Sequence, residues 1–192
     1  MKLRRGFKTE ANELALEVRS ELDLHPRSPL CPFELAKHLC IPVHTLSGLA
    51  QLDPSSASSV QALLSRHRSV FSAITVFDGH KRCIVHNDGH APVRCRSNVA
   101  HELAHALLHH PPHTLLCSTG ARAYESEIEA EANWLGPVLL VPNEAARWAM
   151  QKGMDVADAA QHFDVSEELM QFRFRMSGAM LIRRRSVAAR AA

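Results

Sequence analysis

The chain has 192 residues, enough for one globular domain, and its content of 46% hydrophobic and 22% charged residues is ordinary for a soluble protein. A formal net charge of +2 is too small to indicate nucleic-acid binding by itself. No run approaches the roughly 18 apolar residues of a membrane-spanning helix, and the basic start leads into a polar helix rather than a signal peptide. The cysteines are odd in number and scattered, which favours reduced thiols in a cytoplasmic protein over a disulfide framework.

The first part of the chain alternates short helical patterns with strand patterns. Apolar spacing predicts helices over residues 8–22, 32–39 and 59–66, the last one capped from a serine-rich stretch. Residues 41–46 predict a short edge strand, because Pro42 cannot donate to a ladder. Two β-rich runs, 71–77 and 81–86, flank the turn signal Asp78-Gly79 and predict an antiparallel hairpin.

The second part of the chain is predicted to be helical. A helix capped by Ser97 or Asn98 is expected to end near His110, because two prolines follow. A second helix should run from about Arg122 to Leu140, and the next begins with Asn143 as its cap. The patterns thus predict one domain over 1–182, with N-terminal helices and a short strand (8–66), a hairpin with the central helices (70–150), a helix–turn–helix-like unit (155–178) and a disordered basic tail (183–192). In the helix–turn–helix-like unit, Ser166 is predicted to cap the second helix.

The central helix carries the sequence His101-Glu102-Leu103-Ala104-His105, which has the spacing H-E-x-x-H. Residues four apart lie on the same face of a helix, so His101 and His105 can present their imidazoles to one metal ion. Glu102 lies close enough to reach a water bound to that ion and to act as a general base. The motif therefore predicts a catalytic site with one Zn²⁺ per chain.

A catalytic zinc site needs a third protein ligand beside an open position for water. His109 would lie about 12 Å along the helix axis from His101, too far to share the same ion. His110 and His113 flank the double proline and stay open as ligands, although solvated loop histidines fit them better. A carboxylate from a second helix packed across the first is better placed, and the candidates there are Glu125, Glu127, Glu129 and Glu131.

Two motifs together resemble a known family. H-E-x-x-H at 101–105, followed by Glu-Ala-Glu-Ala-Asn at 129–133 and Leu-Leu-Val-Pro at 139–142, resembles the ImmA/IrrE metallopeptidases. With the predicted elements, the resemblance implies an α+β, mostly helical zincin-like domain with a small antiparallel sheet and a C-terminal helix–turn–helix-like unit. The chain departs from the family at Ser97, where a large apolar residue is usual, and at 134–137, where Pro137 is expected to kink the second helix.

The resemblance also implies roles for single residues. Zinc peptidases of this wider group carry a polar residue four places after the third ligand, which selects Glu129 as the ligand and Asn133 as the hydrogen-bond partner of a ligating imidazole. Glu131 is the runner-up ligand. Such sites often hold a second electrophilic group that stabilises the oxyanion of the reaction, and the candidates are Tyr124, His110 and His113.

The function implied by the resemblance is that of a zinc-dependent endopeptidase whose protein substrate is a separately encoded helix-turn-helix repressor, in stress or mobile-element regulation. One alternative is a DNA-binding protein that uses the two arginines of the helix–turn–helix-like unit, Arg173 and Arg175, and the three arginines at 183–185 beyond it. The others are a non-catalytic regulator with a structural metal and a phage- or plasmid-linked antitoxin. Apolar residues in that unit indicate core packing and argue against direct nucleic-acid binding. A site with two histidines and one carboxylate suits catalysis better than structure.

Overall fold

The computed structural model describes residues 3–65, 69, 71–79, 81–111 and 126–182. In chain order the elements are α1 (Phe7–Glu21), α2 (Pro32–His38), β1 (Val43–Thr45), α3 (Leu46–Leu52), a 3₁₀ turn (Pro54–Ser56), α4 (Ala57–Leu64), β2 (Ala73–Asp78), β3 (Lys81–His86), α5 (Pro92–Leu107), α6 (Ser126–Leu140), α7 (Asn143–Gln151), α8 (Val156–Phe163) and α9 (Glu167–Met176). The architecture is α+β and mostly helical, as predicted. None of the helices in these ranges is long and apolar enough to cross a membrane.

The main hydrophobic core surrounds α6, which packs against α5, α1 and α9. Most side chains of its second half are buried, including Leu135, Val138 and Leu139. This burial all round the helix explains why an apolar segment with Pro137 inside it stays helical to Leu140. The kink expected at this proline stays a prediction.

The sheet is mixed: the predicted antiparallel hairpin is present, and β1 adds a parallel pair that the sequence analysis did not predict. Its strand order is β1-β3-β2, in which β2 pairs antiparallel with β3 and β1 pairs parallel with β3. A tight turn at Gly79 (φ 57°) forces β2 and β3 to run antiparallel, as predicted. The helices α3 and α4 form a long crossover after β1, and a crossover permits parallel pairing on the other edge of β3.

The central strand β3 is buried on both faces. Ile84 belongs to the main core, which includes α5, whereas Val85 packs with Leu46 and Val60 in a second, smaller cluster formed with α3 and α4. Successive residues of a strand point to opposite faces, so this division follows from the pleat. The sheet therefore lies between α5 on one face and the α3–α4 layer on the other.

Several predicted helix ends are corrected. The helix that carries H-E-x-x-H begins at Pro92 with Ala91 as its N-cap, not at Ser97 or Asn98. Proline suits the first helical position because its fixed φ is already helical and its missing N–H is not needed there. At α7 the N-cap is Pro142 rather than Asn143.

The helix–turn–helix-like unit is α8 and α9, and its predicted cap is confirmed, since Ser166 Oγ accepts a hydrogen bond from the backbone N–H of Leu169 (3.2 Å). Its apolar face does not stand free but joins the main core through Phe163, Met170 and Phe174. Arg173, one of the two arginines of the DNA-binding alternative, is fully buried. Arg175 is exposed, and residues 183–185 lie outside the described residues, as does the rest of the predicted tail.

Two buried arginines satisfy the carbonyl groups at the C-terminal end of α6. Arg19 of α1 donates from Nη1 to Leu139 O (2.6 Å) and from Nη2 to Leu140 O (2.9 Å). Arg173 of α9 donates from Nε to Val141 O (2.8 Å). The last carbonyls of a helix have no partner within the helix and carry a partial negative charge, so a guanidinium group is a favourable partner.

Candidate metal centre

The histidines of the H-E-x-x-H motif converge on one point. His101 and His105 lie one turn apart on α5, and their Nε2 atoms are 3.2 Å from each other. Nitrogen atoms this close, with both rings on the same face, can bind one ion between them. The predicted pairing of the two histidines is therefore present in the structure.

A carboxylate of α6 completes the group. Glu129 places Oε2 3.4 Å from Nε2 of His101 and Oε1 3.5 Å from Nε2 of His105. Two ligands bound about 2.1 Å from a zinc ion at a tetrahedral angle are about 3.4 Å apart. The histidine nitrogens and the nearest carboxylate oxygens lie close to this separation, and one ligand atom from each residue lies within 4.8 Å of the others, so the three side chains can hold one ion. Elsewhere in the described ranges no other set of three His, Cys, Asp or Glu side chains converges in this way.

The group is partly open on one side. The side chain of His101 is 24% exposed, whereas those of His105 and Glu129 are 9% and 8% exposed. A catalytic metal site needs a fourth position accessible to water and substrate, while a structural site is closed. The donor set and this asymmetry both fit a catalytic ion.

A glycine lets the ligand helix approach the motif helix. A Cβ atom at Gly136 would lie 3.3 Å from both Cα and N of His101, which is tighter than an ordinary contact. Glu129 lies seven residues before Gly136 and so on the same face of α6. The close crossing of α5 and α6 thus brings Glu129 opposite the histidines. Sequence reasoning noticed Gly136 only as a departure from the family pattern and missed this role.

Glu102, the predicted general base, has a partner that the sequence did not reveal. Glu102 is only 4% exposed, and its Oε2 accepts a hydrogen bond from Oγ1 of Thr75 in β2 (2.7 Å). The hydroxyl holds the carboxylate by one oxygen. The only sequence signal was a polar residue in the middle of an apolar strand, which does not by itself indicate such a contact.

A model of the family described as IrrE N-terminal-like domain, Peptidase_M78, matches residues 62–175. The chain belongs to this family. No curated protein and no solved structure gave a significant match. The matched range includes the hairpin, α5, α6 and the helix–turn–helix-like unit, so the three candidate ligands and Glu102 all lie within this metallopeptidase-type domain.

Within this IrrE-like domain, the positions of two further residues of α6, Glu131 and Asn133, bear on the roles predicted for them. Glu131, the runner-up ligand, lies outside the three-ligand group, and its Oε1 accepts a hydrogen bond from Nε of Arg4 (2.8 Å). Asn133 is exposed, and no hydrogen bond joins it to a histidine among the described residues, so its role stays a prediction. The residue four places after Glu129 lies about 40° further round the helix, and here that direction is toward solvent.

Of the three predicted oxyanion candidates the structure describes only His110, which does not lie on the open side of the site. His110 lies behind His105, with its Nδ1 2.9 Å from Nδ1 of His105, so it faces the ring nitrogen that is turned away from the other ligands. His109 is exposed and outside the three-ligand group. Tyr124 and His113 lie outside the described residues, as does the expected helix start at Arg122.

Proposed function

We propose that this protein is a zinc-dependent endopeptidase. The observation that supports the proposal most directly is the convergence of His101 Nε2, His105 Nε2 and the Glu129 carboxylate on one point, next to Glu102 in the motif. Two imidazoles and one carboxylate with a position left open are a donor set typical of catalytic zinc. Membership of a peptidase family supports the same reaction.

In the proposed mechanism His101, His105 and Glu129 would hold a zinc ion, which would supply Lewis acidity and make a water molecule acidic enough to attack near neutral pH. Glu102 accepts a proton from the attacking water at a carboxylate oxygen and later delivers it to the nitrogen of the leaving amine. Thr75 holds Oε2 of Glu102 and leaves Oε1 available for this transfer. Burial of Glu102 keeps bulk water from competing for the same proton.

The substrate proposed is an extended segment of another protein. Within the described residues β2 pairs with β3 on one edge only, and Thr75 of β2 contacts Glu102. An exposed strand edge can bind an extended peptide through backbone hydrogen bonds, which would carry the peptide past the general base. We further propose a separately encoded helix-turn-helix repressor in the cytoplasm as the substrate protein, during stress or mobile-element regulation; the family resemblance alone supports this step.

The DNA-binding alternative loses support from the fold. The second helix of the helix–turn–helix-like unit buries Arg173 against the end of α6, and its apolar residues pack into the core. A recognition helix needs an exposed face with basic side chains for the phosphates and the base edges. A structural metal is also disfavoured, because the ligand group contains no cysteine and His101 is partly exposed.

The test is the zinc content of purified wild type beside His101→Ala and Glu129→Ala, with Glu127→Ala, an exposed acidic residue of the same helix, as the matched control. We expect about one zinc per chain in wild type and in the control, and loss of zinc in the other two variants. Absence of zinc from a folded wild type would overturn the proposal.

The general base needs a separate test. Glu102→Gln keeps the size of the side chain but cannot accept the proton, so it should retain zinc and lose cleavage of a repressor that wild type cleaves. Normal cleavage by this variant would refute the role of Glu102.

A further inference from the structure

We propose that His110 and Glu131 hold the ligand His105 in its metal-binding orientation and tautomer, the task that sequence reasoning gave to Asn133. The inference rests on the proposed zinc site but concerns residues that are not ligands. Both are positioning residues, because they act on the ion only through His105.

The end of α5 places His110 over His105. The helix ends at Leu107, and His109 adopts a left-handed conformation (φ 52°). The N–H of His110 then bonds to the carbonyl of His105 (3.0 Å), and that of His109 to the carbonyl of Ala106 (3.2 Å). These two bonds are those of a Schellman motif, in which the residue after the left-handed position packs on the residue five places earlier. The backbone therefore fixes where the His110 side chain lies.

The tautomers follow from the contacts. Nε2 of His105 faces His101 and Glu129, so the lone pair that binds the metal is on Nε2 and the proton is on Nδ1. That N–H donates to Nδ1 of His110 (2.9 Å), which must then carry its own proton on Nε2. Nε2 of His110 lies 3.5 Å from Oε2 of Glu131, which accepts from it.

Glu131, at the far end of this series of hydrogen bonds, is itself held in place. Glu131 Oε1 accepts from Nε of Arg4, and the same guanidinium forms two hydrogen bonds to Glu10 (2.6 and 2.5 Å). The side chains of His110 and Glu131 are 8% and 16% exposed, so solvent competes little for their contacts. The chain from His105 to Glu10 thus links the metal centre to α1. A metal-bound histidine that donates its other N–H to such a partner has a fixed ring and a more basic ligating nitrogen.

The experiment measures Zn²⁺ affinity by competition with a chelator. His110→Leu removes the acceptor and should weaken zinc binding about 10- to 100-fold, the usual cost of losing such a partner. Glu131→Ala should weaken it in the same direction by less, and the double variant should bind no more weakly than His110→Leu, since both act through one contact. The matched control is His109→Asn, which changes an exposed histidine and tolerates the left-handed backbone; it should bind within twofold of wild type.

Two further measurements separate positioning from general damage. His110→Asn offers an amide oxygen to the His105 N–H and should recover part of the affinity that His110→Leu loses. The visible absorption bands of Co²⁺-loaded protein, which report ligand geometry, should shift in His110→Leu and stay unchanged in His109→Asn. Equal zinc affinities in His110→Leu and His109→Asn, with wild type binding zinc, would overturn this inference alone. A folded wild type that binds no zinc would overturn the proposed function as well.

Discussion

Replacing Arg173 by methionine should destabilise the protein strongly, although this arginine looks like an ordinary surface residue of α9 in the sequence. Its Nε donates to Val141 O (2.8 Å) and an Nη donates to Asn143 Oδ1 (2.7 Å). Burial lowers its pKa to about 10, while attraction to Glu144 acts in the opposite direction. Methionine keeps the apolar stem of the side chain but donates to neither oxygen.

The expected loss follows from these two acceptors. Each buried acceptor that loses its donor costs about 1–3 kcal/mol, and Val141 is fully buried. Part of this cost is returned, because the substitution also removes a buried charge whose Nη1 has no partner among the described residues. We therefore expect Arg173→Met to lower the free energy of unfolding by about 2–4 kcal/mol. For a protein of this size the melting temperature should fall by about 5–15 °C.

The assay is urea unfolding followed by circular dichroism, with Arg175→Met as the matched control. Arg175 lies two residues further along α9 and is exposed, so its substitution should change the free energy of unfolding by less than about 0.5 kcal/mol. Equal stabilities of the two variants would refute the argument that Arg173 satisfies the end of α6. If wild type binds DNA and Arg173→Met loses this binding but keeps its stability, the result would support the DNA-binding alternative.

Three other predictions concern the site and its surroundings. Thr75→Val removes the hydroxyl that holds Glu102 and should slow cleavage about 10-fold while leaving zinc affinity unchanged. Thr75→Ser restores a hydroxyl and should recover the rate, so equal cleavage rates in the two variants would contradict the role of Thr75. Gly136→Ala should push α6 away from His101, which should lower the free energy of urea unfolding by about 1–3 kcal/mol and weaken zinc binding. Wild-type zinc affinity in this variant would disprove the argument that the close crossing of α5 and α6 positions Glu129. Burial lowers the pKa of His86, against the attraction of a nearby aspartate. As the pH falls, His86 is therefore protonated in the unfolded protein before it is protonated in the folded protein, so the free energy of unfolding should decrease below about pH 6.5. Urea midpoints measured at neutral and acidic pH should differ less for His86→Phe than for wild type.

Local patterns were sufficient for much of the fold. The helices over 8–22 and 32–39, the hairpin with its Asp78-Gly79 turn, and the Ser166 cap are all confirmed within a few residues, because each depends on neighbours along the chain. The predicted start of α5 is wrong, because Pro92 suits the first helical position and lets the helix begin five residues before Ser97. The parallel pairing of β1 was missed, because a crossover leaves no turn signal in the sequence.

The candidate site divides in the same way. The sequence by itself determined that His101 and His105 share one helix face and that Glu102 stands beside them, since helical periodicity alone sets these relations. The choice of Glu129 came from the family pattern, and its convergence on the histidines needed the crossing of α5 and α6 at Gly136.

Only the tertiary structure decided which side chains support that site and which stay in solvent. Thr75 reaches Glu102 across the sheet, Glu131 turns to Arg4 and His110, and Asn133 is left exposed. Arg173 looks like a basic surface residue until α9 packs on the end of α6. These contacts join residues distant in the chain, and their geometry depends on how helices cross and where strands pair, which local propensity does not specify.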